Sequence, residues 1–117
     1  PVRKESRGID MSIRVSEASF QSEVLGVREP VLVEFYSDGC LGCKQISPVL
    51  GELEDEYEKE IKIVKVNALF SEELKNRYEV TVYPTILFFK KGQQIARLEG
   101  IVSQEELEAK IKEALED

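Results

Sequence analysis

The 117-residue chain is the size of one domain and long enough to bury a core without metal or disulfide staples, and its 42% apolar and 33% charged residues fit a globular rather than a disordered protein. With 23 acids against 16 bases, the net charge of -7 repels phosphate backbones and anionic headgroups, which argues against nucleic acid and membrane surfaces as partners. No apolar run approaches the roughly 20 residues that span a bilayer and no signal-peptide pattern is present, so the expected location is the cytoplasm.

Residues 1–10 are polar and basic and read as a flexible N-terminal arm, leaving 11–117 as one domain. Ser12 to Val15 is the first expected strand, with Ile13 and Val15 alternating against polar neighbours. Ser16 is placed to cap a helix reaching Leu25, with Phe20 and Val24 on one face. Val31 to Tyr36 is almost continuously apolar, as a central strand covered on both sides should be. Ser37-Asp38-Gly39 ends it. From Cys40 to Glu60 the apolar residues Cys43, Ile46, Val49 or Leu50, Leu53 and Tyr57 recur every three or four positions, which predicts one helix, kinked at Pro48 where an amide donor is missing.

Ile61 to Val66 is the returning strand, completing a β-α-β unit. Ser71 starts a short helix holding Leu74 and Tyr78, and Thr81 to Pro84 is a turn. Thr85 to Phe89 and Gln94 to Glu99 form a hairpin around Lys90-Lys91-Gly92-Gln93. Ser103 and Glu106 make a capping box for a last helix with the stripe Leu107, Ile111 and Leu115. The expected fold is α/β: a mixed central sheet flanked by helices on both faces.

The two cysteines of the chain, Cys40 and Cys43, are separated by two residues. A staple closing so short a loop restrains little of the unfolded chain, so reactivity explains the pair better than stability. Cys40 falls at the expected start of a helix, where unpaired amides and the helix dipole favour an anion, and the thiolate is the attacking form. Cys43, one turn on, is placed to resolve a mixed disulfide. A closed zinc site normally needs four ligands, and the chain has no histidine; an intermolecular four-cysteine site and a pair of inert core cysteines are the competing readings.

Glu34 interrupts the most apolar strand. Either its carboxylate reaches solvent or pairs with Lys65, or it lies behind the helix start as a proton acceptor for the buried thiol. Pro84 follows an aromatic residue at a strand entry. It is either an ordinary entry proline or part of a rigid loop beside the cysteines, with the Tyr83 backbone left to pair with an extended substrate.

Taken together, Leu32-Val33-Glu34-Phe35-Tyr36, Cys40-Leu41-Gly42-Cys43-Lys44, Pro48, Lys65-Val66-Asn67, Val82-Tyr83-Pro84-Thr85, Phe89-Lys90-Lys91-Gly92 and Gly100 resemble the thioredoxin family over about Ser12 to Leu115. The resemblance implies the thioredoxin fold and a protein-disulfide reductase. It makes Cys40 the nucleophile, Cys43 the resolving thiol, Glu34 the counterpart of a buried family aspartate, Lys65 its partner, and Pro84 a cis-proline. Gly39, Leu41, Gly42, Tyr83, Pro84 and Gly100 form the expected substrate-binding surface. It further implies no bound cofactor, disulfide-containing proteins as substrates, and recharging by a thioredoxin reductase, linked to NADPH or ferredoxin.

The family's usual tryptophan-cysteine-glycine-proline-cysteine pattern is here Gly39-Cys40-Leu41-Gly42-Cys43, Tyr36 stands where a second tryptophan is common, and Glu34 is one methylene longer than the family aspartate. A thiol oxidase or disulfide isomerase on the same fold, and a redox-inactive interaction module, are the alternative functions.

Overall fold

Val31–Tyr36, the most apolar segment, lies at the centre of a five-stranded sheet in a computed structural model that describes residues 13–116. The elements are β1 (Ile13–Arg14), α1 (Glu17–Phe20, prolonged by a wider turn over Gln21–Leu25), β2 (Val31–Tyr36), α2 (Leu41–Glu56), β3 (Lys62–Asn67), α3 (Glu72–Arg77), β4 (Thr85–Lys90), β5 (Gln93–Glu99) and α4 (Gln104–Leu115). The sheet order is β1-β3-β2-β4-β5, with β1, β3 and β2 parallel and β4 and β5 antiparallel. The mixed α/β sheet expected from the sequence is therefore present, although Ser12 and the arm expected at 1–10 lie outside the described residues.

Alternation along each strand divides the core in two. Val31, Val33 and Phe35 of β2 join Val64, Val66, Leu87 and Phe89 beneath Phe20, Val24 and Leu74 of α1 and α3. On the other face, Leu32, Ile63, Ile86 and Phe88 pack with Ile46, Leu50 and Leu53 of α2 and with Leu107 and Ile111 of α4. Each fully buried Phe, Leu or Ile contributes about 1.5–3 kcal/mol of apolar burial, so both helical layers are held firmly to the sheet that carries the cysteine loop.

Local chemistry moved several boundaries. Ser16 precedes α1 as expected, but the bond tying this end is donated by its backbone N–H to the Ser19 hydroxyl at 3.0 Å. The Gly26 amide reaches back five residues to the Gln21 carbonyl at 2.7 Å, which widens the last turn. α2 stops at Glu56, four residues before the expected end. Glu58-Lys59-Glu60 has no apolar face to bury, and the amides of Glu60 and Ile61 both turn back to the Tyr57 carbonyl so that Ile61 enters the core. Pro48 lies within α2, which continues through it as a single element.

A short 3-10 turn, Ala68–Phe70, follows β3 unannounced by any periodicity; the Asn67 side chain caps it by accepting from the Leu69 amide at 3.0 Å. The hairpin between β4 and β5 turns on Lys91 and Gly92, both at positive φ (53° and 81°), the signature of a type I′ turn. The Ser103–Glu106 capping box starts α4 as expected.

Candidate active site

The cysteine loop leaves the end of β2 and enters α2 directly. Cys40 occupies the cap position of α2 in an extended conformation, and its Sγ accepts the Cys43 N–H at 3.1 Å. Cys40 and Cys43 are joined as a disulfide with Cα atoms 5.3 Å apart. Cys40 is half-buried, whereas Cys43 is 6% exposed. One sulfur thus faces the surface at a helix mouth, while the other is held behind it on the core side of the same turn. A helix N-terminus presents donors and a positive partial charge, which together favour a thiolate at Cys40 when the bond is open.

Glu34 is wholly buried, so the solvent-facing alternative raised by the sequence is overturned: its strand is covered on both faces. It shares the α2 face of β2 with Leu32, two residues nearer the strand end from which the cysteine loop departs. Lys65 is its register neighbour on β3, and its Nζ lies 3.6 Å from the Glu34 Oε1. The same Nζ stands 4.9 Å from the centroid of the Tyr36 ring, with the Arg14 guanidinium carbon 5.6 Å from that centroid. Burial of the Lys65 charge is tolerated because its counterion Glu34 and the face of the Tyr36 ring are both supplied from the adjacent strand β2.

A cleft of about 180 Å³ opens beside the disulfide, lined by Tyr36, Asp38, Cys40, Cys43, Ser47 and Lys65 among others. It connects the two sulfurs with the ammonium group that pairs Glu34. Ser47 and Lys44 also line it, and sequence reading had singled out neither for this place.

The Tyr83–Pro84 peptide bond is cis, which settles the geometry that the sequence left open. Pro84 is buried, and the Thr85 hydroxyl donates to the Val82 carbonyl at 2.6 Å, closing the loop. The Pro84 carbonyl accepts the Gly100 N–H at 2.8 Å. Gly100 reaches this position with φ +79°, a backbone conformation that side chains disfavour. Arg97 holds the preceding segment: its guanidinium donates to the carbonyls of Tyr78 (2.6 Å) and Glu79 (2.7 Å).

The residues expected to form the substrate surface lie around the cysteines. Leu41 is 71% exposed in the first turn of α2, Gly39 is open with no atom within 4 Å of a Cβ, and Gly42 lies against Pro84. Ile101, 72% exposed, packs on Gly42 and was not anticipated. Its only sequence signal is a large apolar residue just after the glycine that ends β5. Among the described residues no group of three or more Cys, Asp or Glu side chains could hold a metal ion. No described helix is long and apolar enough to cross a membrane.

A sequence model of the thioredoxin family matches residues 11–113. The chain is 37% identical over 97 residues to Thioredoxin C-2 of Corynebacterium nephridii, covering 83% of this chain and 90% of that protein. It is 33% identical over 102 residues to a thioredoxin of Synechocystis sp., covering 87% and 95% of the two chains. The bifunctional thioredoxin reductase/thioredoxin of Mycobacterium leprae is 31% identical over 96 residues, covering 82% of this chain and 21% of that longer protein. A disulfide set at a strand-to-helix junction, on a sheet of this order and within a match of this extent, makes the chain a member of the thioredoxin family of thiol–disulfide oxidoreductases.

Proposed function

We propose that the protein reduces disulfides in other proteins in the cytoplasm, with Cys40 as nucleophile and Cys43 as resolving thiol. The observation that carries this reading is the helix-mouth position of Cys40, its Sγ accepting the Cys43 amide, with the partner sulfur in bonding contact behind it. The Cys40 thiolate attacks a substrate disulfide; a Cys40–substrate bond forms, and the other substrate sulfur leaves as a thiolate. Cys43 then gives up its proton to the Glu34 carboxylate, directly or through a water in the cleft, and attacks the Cys40 sulfur. The second substrate sulfur leaves, and the Cys40–Cys43 disulfide remains. Lys65, its Nζ 3.6 Å from the Glu34 Oε1, is the counterion beside that carboxylate.

Substrate binds across Gly39, Leu41, Gly42, Tyr83, Pro84 and Gly100, with the Tyr83 backbone left to pair with an extended chain. Two electrons from a thioredoxin reductase, linked to NADPH or ferredoxin, restore the dithiol. The Mycobacterium leprae relative, whose name joins a thioredoxin reductase and a thioredoxin in one protein, supports such a partner. The two cysteines of the chain are both used by the redox pair, which suits a reducing compartment where structural disulfides are rare.

Trapping tests the assignment. Cys43→Ser, incubated reduced with a disulfide-bonded protein such as insulin, should accumulate a mixed disulfide at Cys40 detectable by mass spectrometry. Cys40→Ser should accumulate none. Adducts on neither variant, with no insulin reduction by the native protein, would end the proposal.

A further inference from the structure

Gly42 lies between the two cysteines, and nothing in its own backbone requires glycine: its φ is outside the left-handed region. What requires it is its surroundings. A Cβ at this position would stand 3.0 Å from the Cγ1 of Ile101 and 3.2 Å from the Cδ of Pro84, with the Ile101 Cδ1 at 3.6 Å. The first two distances are tighter than ordinary carbon–carbon contact, so a side chain at position 42 would have to push Ile101 and Pro84 back by a few tenths of an ångström. Ile101 makes its contact from the opposite loop. The Gly100 N–H bond to the Pro84 carbonyl, 2.8 Å, fixes that loop to the cis-proline and so sets the height of Ile101 above the helix mouth.

A glycine in the first turn of a helix leaves the backbone more freedom than any other residue would. In the disulfide form this freedom is curtailed by the covalent link between Cys40 and Cys43. In the dithiol form no such link exists, and the contact from Ile101 falls on Gly42, one of the two residues between the thiols. We infer that Ile101 is a positioning residue for the exchange reaction, pressing on Gly42 so that the unlinked Cys43 thiol stays within reach of Cys40. The inference rests on the redox reading of the cysteine pair and deepens it, because the stiffness that other side chains would place inside the cysteine loop is here delivered from outside. Its consequence has a sign. Loosening the dithiol lowers the effective concentration of one thiol at the other and disfavours disulfide closure.

The test is equilibrium with a dithiothreitol buffer. As the Cys40–Cys43 bond forms, the two thiols lose two electrons and two protons, and oxidised dithiothreitol takes them up as its own disulfide opens. Native protein, Ile101→Ala, Gly42→Ala and the double variant are compared, with the urea stability of each oxidised form measured in parallel. Ile101→Ala should shift the equilibrium toward the dithiol by about two- to fivefold, the range a glycine's extra backbone freedom corresponds to. In the Ile101→Ala background, Gly42→Ala should shift it back toward the disulfide, because the vacated space accepts the methyl group and the stiffer residue restores closure. In the native background the same substitution meets Ile101 and should lower the stability of the oxidised form. Equal effects of Gly42→Ala in both backgrounds, or an Ile101→Ala equilibrium matching the native one, would overturn the clamp. A native protein that fails to exchange with dithiothreitol at all would instead overturn the redox reading beneath it.

Discussion

Glu34 and Lys65 face each other across the parallel register of β2 and β3, with the Lys65 Nζ 3.6 Å from the Glu34 Oε1 and the carboxylate fully buried. Two charges removed from water hold each other in place, and removing one strands the other. Lys65→Met should therefore destabilise the protein by about 3–5 kcal/mol, while Lys65→Met combined with Glu34→Leu should recover most of that loss. Urea denaturation at neutral pH measures both. Glu34→Gln, which keeps shape but loses the proton acceptor, should leave the first attack by Cys40 nearly unchanged and slow release of the reduced product by roughly a hundredfold. Stopped-flow separation of the two steps decides it, and equal slowing of both would remove Glu34 from the proton path.

Arg97 presents a planar fork to two carbonyls, those of Tyr78 and Glu79, in the segment leading to the cis-proline loop. Lysine cannot reproduce two parallel donors at fixed spacing. Arg97→Lys and Arg97→Ala are each expected to cost about 1.5–3 kcal/mol, the worth of a charge-assisted hydrogen bond. The same variants should raise amide hydrogen exchange at Val80 and its neighbours before the rest of the sheet responds. Exchange rates unchanged at Val80 would show that the fork does not hold this segment.

Tyr57 closes the end of α2, and its hydroxyl donates to the Glu108 carboxylate at 3.0 Å. Burial first, then the hydrogen bond to Glu108 and that carboxylate's negative charge, push its phenol up from 10.0 to about 12. The fold therefore prefers the neutral phenol. Its stabilising contribution is complete below pH 10 and is lost as pH rises toward and through 12. Ultraviolet titration of the phenolate should resolve Tyr57 as a late-ionising tyrosine. Glu108→Gln should bring that tyrosine back toward 10, and an unmoved titration would assign the shift to burial and the charges of Glu56 and Glu60.

The β4–β5 turn places a lysine at φ 53° and a glycine at φ 81°. A Cβ on Gly92 would stand 3.0 Å from the Leu25 carbonyl oxygen, in addition to the strain of its backbone. Gly92→Ala should cost more than about 1 kcal/mol, whereas Lys91→Asn, better suited to the left-handed region, should stabilise by about 0.5–1 kcal/mol. Thermal melts of the two variants should move in opposite directions.

Much of this architecture could be read in chain order because it is written in local periodicities. The apolar run of β2, the stripe of α4 and its Ser103–Glu106 cap, and the cysteine pair at a strand-to-helix junction each involve residues within a turn or two of one another. α2 was read too long because the periodicity through Tyr57 does not say where a chain must turn back. The Ala68–Phe70 turn carried no periodic signal at all, its cap being a single asparagine side chain.

What the amino-acid order determined alone was which apolar faces of β2, α2 and α4 lie inward, where α4 starts, and that the two cysteines sit at a helix mouth. The pairing of Glu34 with Lys65, the cis bond before Pro84 and the seating of Ile101 on Gly42 were decided only by tertiary structure. Each depends on strand register and loop approach between distant segments. Local pattern can select the face a residue occupies, but only the assembled sheet selects the neighbour it meets there.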